Sequence, residues 1–198
     1  MMQRSFLRIP KDEITSYIME NKVPFEEELL ERARNFEHQA LAQVYDLHSE
    51  ALYRYALRSL GDPSRAEECV AETFSRFLQA MHHRKGPREH LQAYLYRIAH
   101  NWIVDQYRRE QVPEQLSDAL PDPGLDVEIE AEINMRNDNL RAAIHRLTVD
   151  QQQVIVMKYL EGFENAEIAR IMRKPTGAIK SLQHRALASL QKILQEKS

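Results

Sequence analysis

The stretch EQVPEQLSDALPDPGLDVEIEAE, residues 110–132, constrains this chain more than any other. Pro113, Pro121, Pro123 and Gly124 oppose a regular element in its first part, since proline fixes φ and brings no amide donor. Eight carboxylates, Glu110, Glu114, Asp118, Asp122, Asp126, Glu128, Glu130 and Glu132, stand there without a single lysine or arginine. Such a segment reads as a linker, so the chain should fold as two domains.

On both sides of it the pattern is helical. Only five of 198 residues are glycine and eight proline; Ala, Leu, Glu, Arg and Gln, all good helix formers, dominate. A 43% hydrophobic content is too high for disorder. Leu29, Leu30, Ala33, Phe36, Ala40, Leu41, Val44, Leu47, Leu52, Tyr55 and Ala56 recur at spacings of about three and four, which predicts a buried helix face starting near Phe25. Gly61 ends that pattern. Asp62 is placed to cap the next helix, with Pro63 at its first position, and this helix should run to about Met81. A basic loop, HHRKGPREH at 82–90, precedes a helix over about 90–109, and helix resumes near 128–147. The expected fold class is all-α.

Several function classes recede at this point. The formal net charge is −3, so contact with nucleic acid has to rest on local patches. No apolar run has the length of a signal peptide core or a membrane span, which predicts a soluble cytoplasmic protein. Cys69, the single cysteine, reads as a small core residue. His82, His83, His90 and His100 lack the spacing of metal ligands, and no phosphate-binding glycine loop or nucleophile motif is present. No cofactor, metal or enzymatic activity is expected.

One local patch does stand out. Between Arg170 and Gln195 there is no Asp or Glu. NAEIARIMRKPTGAIKSLQHRALASLQ, residues 165–191, reads as two helices broken around Lys174-Pro175, with Ala169 as the small residue where they cross and Ile179 pinning the second onto the first. Arg173 occupies the turn position where such motifs often carry glycine. Pro175 or Thr176 opens the second helix, and Gly177 near that start allows close approach of a backbone, where free amides suit a phosphate. Lys180, Ser181, Gln183, His184 and Arg185 follow, and Ile179, Leu182, Ala186, Leu187 and Leu190 form the opposite apolar stripe. Carboxylates would repel phosphate, so their absence fits a major-groove recognition helix. Taken alone, the pattern fits a helical hairpin with a solvated basic face equally well.

LTVDQQQVIVMKYLEGFENAEIARIMRKPTGAIKSLQHRAL resembles region 4 of bacterial RNA polymerase sigma factors of the extracytoplasmic-function group. LYRYALRSLGDPSRAEECVAETFSRFLQAM and LQAYLYRIAHNWIVDQYRRE resemble region 2 of the same group, in the same order. The resemblance implies an N-terminal extension at 1–24 of unassigned role, region 2 at 25–110, an acidic linker at 111–135 and region 4 at 136–198. It implies a non-catalytic promoter-specificity subunit whose partners are the clamp and flap of core polymerase, promoter DNA and, as a further class, an anti-sigma factor, without membrane insertion.

By the same resemblance, Lys174, Thr176, Gly177, Lys180, Ser181, Gln183, His184 and Arg185 would meet the −35 element, with Leu182 where many members carry arginine. Arg84, Lys85, Arg97, Asn101, Asp105, Arg108 and Arg109 would meet the −10 element, Asn101 and Asp105 sharing one helix face; Trp102 would be core. Glu68, Glu72 and Arg76 would face the polymerase clamp, with Ala71 where many members have glutamine. The linker would thread toward the polymerase active-site cleft, its carboxylates either mimicking nucleic acid inside a cationic channel or forming a solvated spacer kept extended by self-repulsion. The alternative is a stand-alone helix-turn-helix regulator that binds DNA as a dimer.

Overall fold

The computed structural model describes residues 26–110, 140 and 142–196. The N-terminal extension, the linker and any helix before residue 140 fall outside these residues. The described chain is helical throughout, with no strand among the described residues. In order come α1 (26–34), α2 (His38–Leu60), α3 (Pro63–His82), α4 (Leu91–Glu110), a short α5 (142–145), α6 (Val149–Ile155), α7 (Asn165–Met172) and α8 (Thr176–Gln195). A single π-helical turn, Val156–Leu160, extends α6.

Local chemistry sets the boundaries. Gly61 caps α2 in the left-handed conformation at φ 72°, and its amide returns to the Leu57 carbonyl. An added Cβ there would also lie 3.2 Å from His145 Nε2. Asp62 then accepts the Arg65 amide at 3.0 Å, with Pro63 leading α3. Thr148 and Gln151 form a reciprocal capping box at the start of α6.

Helices α2, α3 and α4 pack around Leu52, Tyr55, Phe77, Met81, Leu91, Leu95 and Ile103, all nearly inaccessible. Helices α6, α7 and α8 close around Val154, Met157, Ile168, Ile171 and Ile179. The two groups join into one continuous hydrophobic cluster, because α7 lies against α4 and the π-turn lies against α2. Cys69 and Trp102 are both core residues. Burial pushes the Cys69 thiol up to about 12.

Two sequence expectations need correction. The apolar pattern from Leu29 to Ala56 is not one helix: Phe36 turns the chain at φ 59° between α1 and α2, and its ring meets His82 edge-on at 5.5 Å. Periodicity cannot register a single left-handed residue that leaves the apolar spacing intact. Leu47 and Leu187, both assigned to buried stripes, are 55% and 43% exposed, because each lies at the margin of its helix's apolar arc.

Candidate nucleic-acid interface

Helices α7 and α8 form the helix-turn-helix. Glu164 and Glu167 close a capping box that starts α7. Arg173 adopts the left-handed turn at φ 52° that glycine would take more easily, and the Lys174 amide returns to the Ala169 carbonyl at 3.1 Å. Buried Ile179, Leu182 and Ala186 hold α8 onto this platform. The outer face is left to Thr176, Gly177, Lys180, Ser181, His184 and Arg185, all exposed. A Cβ on Gly177 would meet nothing within 4 Å, so the fold itself does not demand glycine there. Pro175 provides no side-chain cap, which leaves the first amides of α8 to be satisfied from outside.

Not all the expected −35 residues have the same freedom. Gln183 donates to Asn165 Oδ1 at 2.8 Å and so ties α8 to the start of α7. Lys174 pairs with Asp150 of α6 at 2.9 Å. Arg185 Nε lies 3.4 Å from the Ser181 carbonyl, and Ser181 Oγ donates to the Gly177 carbonyl at 3.1 Å.

Asn101, Asp105, Arg108 and Arg109 are the exposed residues on the last three turns of α4, with Arg108 3.7 Å from Asp105. Arg97 is half-buried, its guanidinium 4.8 Å from the centre of the Tyr94 ring. Burial, and then the neighbouring Arg173 cation, disfavours its charged form. Arg84 and Lys85 lie exposed on the loop before α4, where Arg84 and His90 both have positive φ. On α3, Glu68 and Arg76 are exposed and Glu72 is half-buried; Arg76 donates to Glu72 at 2.7 Å.

Sequence reasoning missed the ground between the two surfaces. A cleft of about 500 Å³ is lined by Lys85, His90 and Arg97 on one side and by Arg170 and Arg173 on the other. Its cations come from segments more than 60 residues apart in the chain, and no local pattern signals that they meet.

The model of Sigma-70 region 2 matches residues 44–112, and that of Sigma-70, region 4 matches residues 137–190. The ECF RNA polymerase sigma factor BldN of Streptomyces coelicolor is 32% identical over 171 residues, 84% of this chain; the chain spans 65% of that relative's length. The ECF RNA polymerase sigma factor SigL of Mycobacterium tuberculosis is 30% identical over 155 residues, covering 77% of this chain and 88% of SigL. Among solved structures, CnrH in complex with the cytosolic domain of CnrY superposes with a TM-score of 0.66 at 22% identity, covering 87% of this chain and 98% of that one. Bartonella quintana RpoE, in complex with the anti-sigma factor NepR, gives 0.57 at 22%, over 78% and 96%. Both structures share the fold. No helix among the described residues is long and apolar enough to cross a membrane.

Proposed function

Since the chain belongs to the ECF family of RNA polymerase sigma factors, we propose that it is a promoter-specificity subunit that joins core polymerase and directs it to −35 and −10 elements. The observation that carries the reading is the exposed face of α8: seven residues from Thr176 to Arg185 are open to solvent without a carboxylate among them, at a helix start whose amides lack a side-chain cap. Lys180, Ser181, His184 and Arg185, with Thr176 and Gly177, form the −35 surface. Lys174 and Gln183 support it from their bonds to α6 and α7. Asn101, Asp105, Arg108 and Arg109, with the loop cations Arg84 and Lys85 and half-buried Arg97, form the −10 surface. Glu68, Glu72 and Arg76 meet the polymerase clamp.

The domain scheme is region 2 at 25–110, a linker at 111–135 and region 4 at 136–198. The subunit contributes no catalysis of its own and acts in the cytoplasm, where the polymerase works. Anti-sigma factors hold the structural relative RpoE, and one is a candidate partner here.

Run-off transcription with core polymerase, followed by sequencing of the selected templates, tests the proposal. We expect transcripts from templates sharing two motifs separated by a fixed spacer. Binding to a single palindromic site, without core polymerase and without transcripts, would instead identify a stand-alone dimeric regulator.

A further inference from the structure

The cleft between α4 and α7 gathers charge of one sign. Its volume of about 500 Å³ is lined by Lys85 and His90 of the loop, Arg97 of α4, and Arg170 and Arg173 at the end of α7. The carboxylate on the lining, Glu89, is exposed and lies 4.0 Å from His90 Nε2. Among the described residues, none of Lys85, Arg97, Arg170 and Arg173 forms an ion pair. Burial first, and then Arg173 across the cleft, disfavours the charged form of Arg97. Two of the lining residues also hold costly backbone. His90 and Arg173 are left-handed at φ 56° and 52°, a conformation that glycine adopts without the clash of a Cβ. Fold stability alone favours glycine at both turns and carboxylates paired to the arginines. The cleft has neither.

We propose that this cleft is a binding site for a small anion built on a chain of phosphates, a nucleoside triphosphate or an inorganic polyphosphate, held between Arg97 of α4 and Arg170 and Arg173 of α7. Guanidinium forks match phosphate oxygens two at a time, and walls of one sign focus their field on the space between them. The volume lies in the range of small-molecule sites, about 300–1,000 Å³, and is more than a single phosphate fills. An extended anion that reaches both walls relieves the repulsion between Arg97 and Arg173; a single phosphate on one wall does not. Tyr94 and Ala169 add an aromatic edge and an apolar patch to the lining, the Tyr94 ring lying 4.8 Å from the Arg97 guanidinium. The surface proposed for the −10 element takes in Lys85 and Arg97, and the −35 surface starts at Lys174. Arg170 and Arg173 belong to neither, so the promoter reading leaves them without a task.

Isothermal titration calorimetry on the full chain, without divalent cations, tests this with adenosine triphosphate, inorganic tripolyphosphate and inorganic phosphate as probes. Both triphosphates should bind once per chain, and inorganic phosphate at least about tenfold more weakly. Tighter binding of adenosine triphosphate identifies a nucleotide site and equal binding a site for the bare phosphate chain; either supports the proposal. Arg170→Ala and Arg173→Gly should each weaken both triphosphates about tenfold. Glycine suits the left-handed turn, so a purely structural role for Arg173 predicts no loss in Arg173→Gly. Lys192→Ala removes an exposed cation of α8 that does not line the cleft, and should bind as the parent chain does. Circular dichroism checks that helicity is kept. Absence of binding overturns the site. So does equal binding of inorganic phosphate, or triphosphate binding that survives both arginine variants, since each means an adventitious ion only. A single-stranded −10 oligonucleotide supplies the last arm: if both arginine variants weaken it while neither triphosphate binds, the cleft belongs to the path of DNA and the proposal falls. The triphosphate titrations use neither DNA nor polymerase, so failure of run-off transcription would remove the promoter reading and leave the anion site standing.

Discussion

Lys180 and Arg185 share the outer face of α8 but differ in surroundings: neither forms an ion pair with a carboxylate among the described residues, and Arg185 is held by a contact to its own helix, at the Ser181 carbonyl. If Lys180 holds a phosphate, Lys180→Ala should weaken binding to every sequence and reduce the log–log salt slope by about one. If Arg185 reads a base edge, Arg185→Ala should cost roughly 1–3 kcal/mol at one −35 position and leave the −10 preference alone. Lys174→Ala should cost less DNA affinity than Lys180→Ala, since Asp150 already neutralises Lys174 at 2.9 Å. Promoter selection at two salt concentrations reads all three. An unchanged slope and unchanged preference in every variant would mean that this face does not touch DNA.

At the level of elements, the two left-handed glycines offer a matched pair. Gly162→Ala puts a Cβ into open space at φ 78°, so only backbone strain is added, about 1 kcal/mol. Gly61→Ala adds similar strain at φ 72° and also presses on His145 at 3.2 Å, so it should lose clearly more in denaturant unfolding. Equal losses would show that His145 yields freely. The helix starts and stops around Gly61, Asp62 and Pro63 were legible because capping chemistry is local, and so was the turn at Arg173. The corner at Phe36 was not, since nothing in its residue type asks for positive φ. The π-turn was equally hidden: the extra residue that carries Glu161 to Arg58 is selected by a contact 103 positions away. The candidate site divides in the same way. Single-helix stripes such as Asn101, Asp105 and Arg108 could be read from spacing, whereas the bonds holding Gln183 and Lys174 depend on how helices meet.

The whole molecule carries two buried or half-buried histidines on the seam between its two groups of helices. Burial lowers the pKa of His100; Gln153 and Asp150 oppose this and Lys174 reinforces it. His145, bonded to Gln152, is lowered by burial alone. A group whose pKa is depressed in the folded form binds its proton better in the unfolded one. Stability should therefore be fully present above the ordinary histidine value of about 6.5 and weaken as pH falls below it. Denaturant unfolding should show a lower midpoint at about pH 5.5 than at about pH 8; equal midpoints would mean that neither histidine regains water on unfolding. The same seam holds the Tyr55–Gln153 and Arg58–Glu161 bonds. None of these four residues belongs to the surfaces proposed to read DNA or to meet polymerase, so substitutions there tune how firmly the two groups of helices hold together without rewriting the sequences the subunit reads.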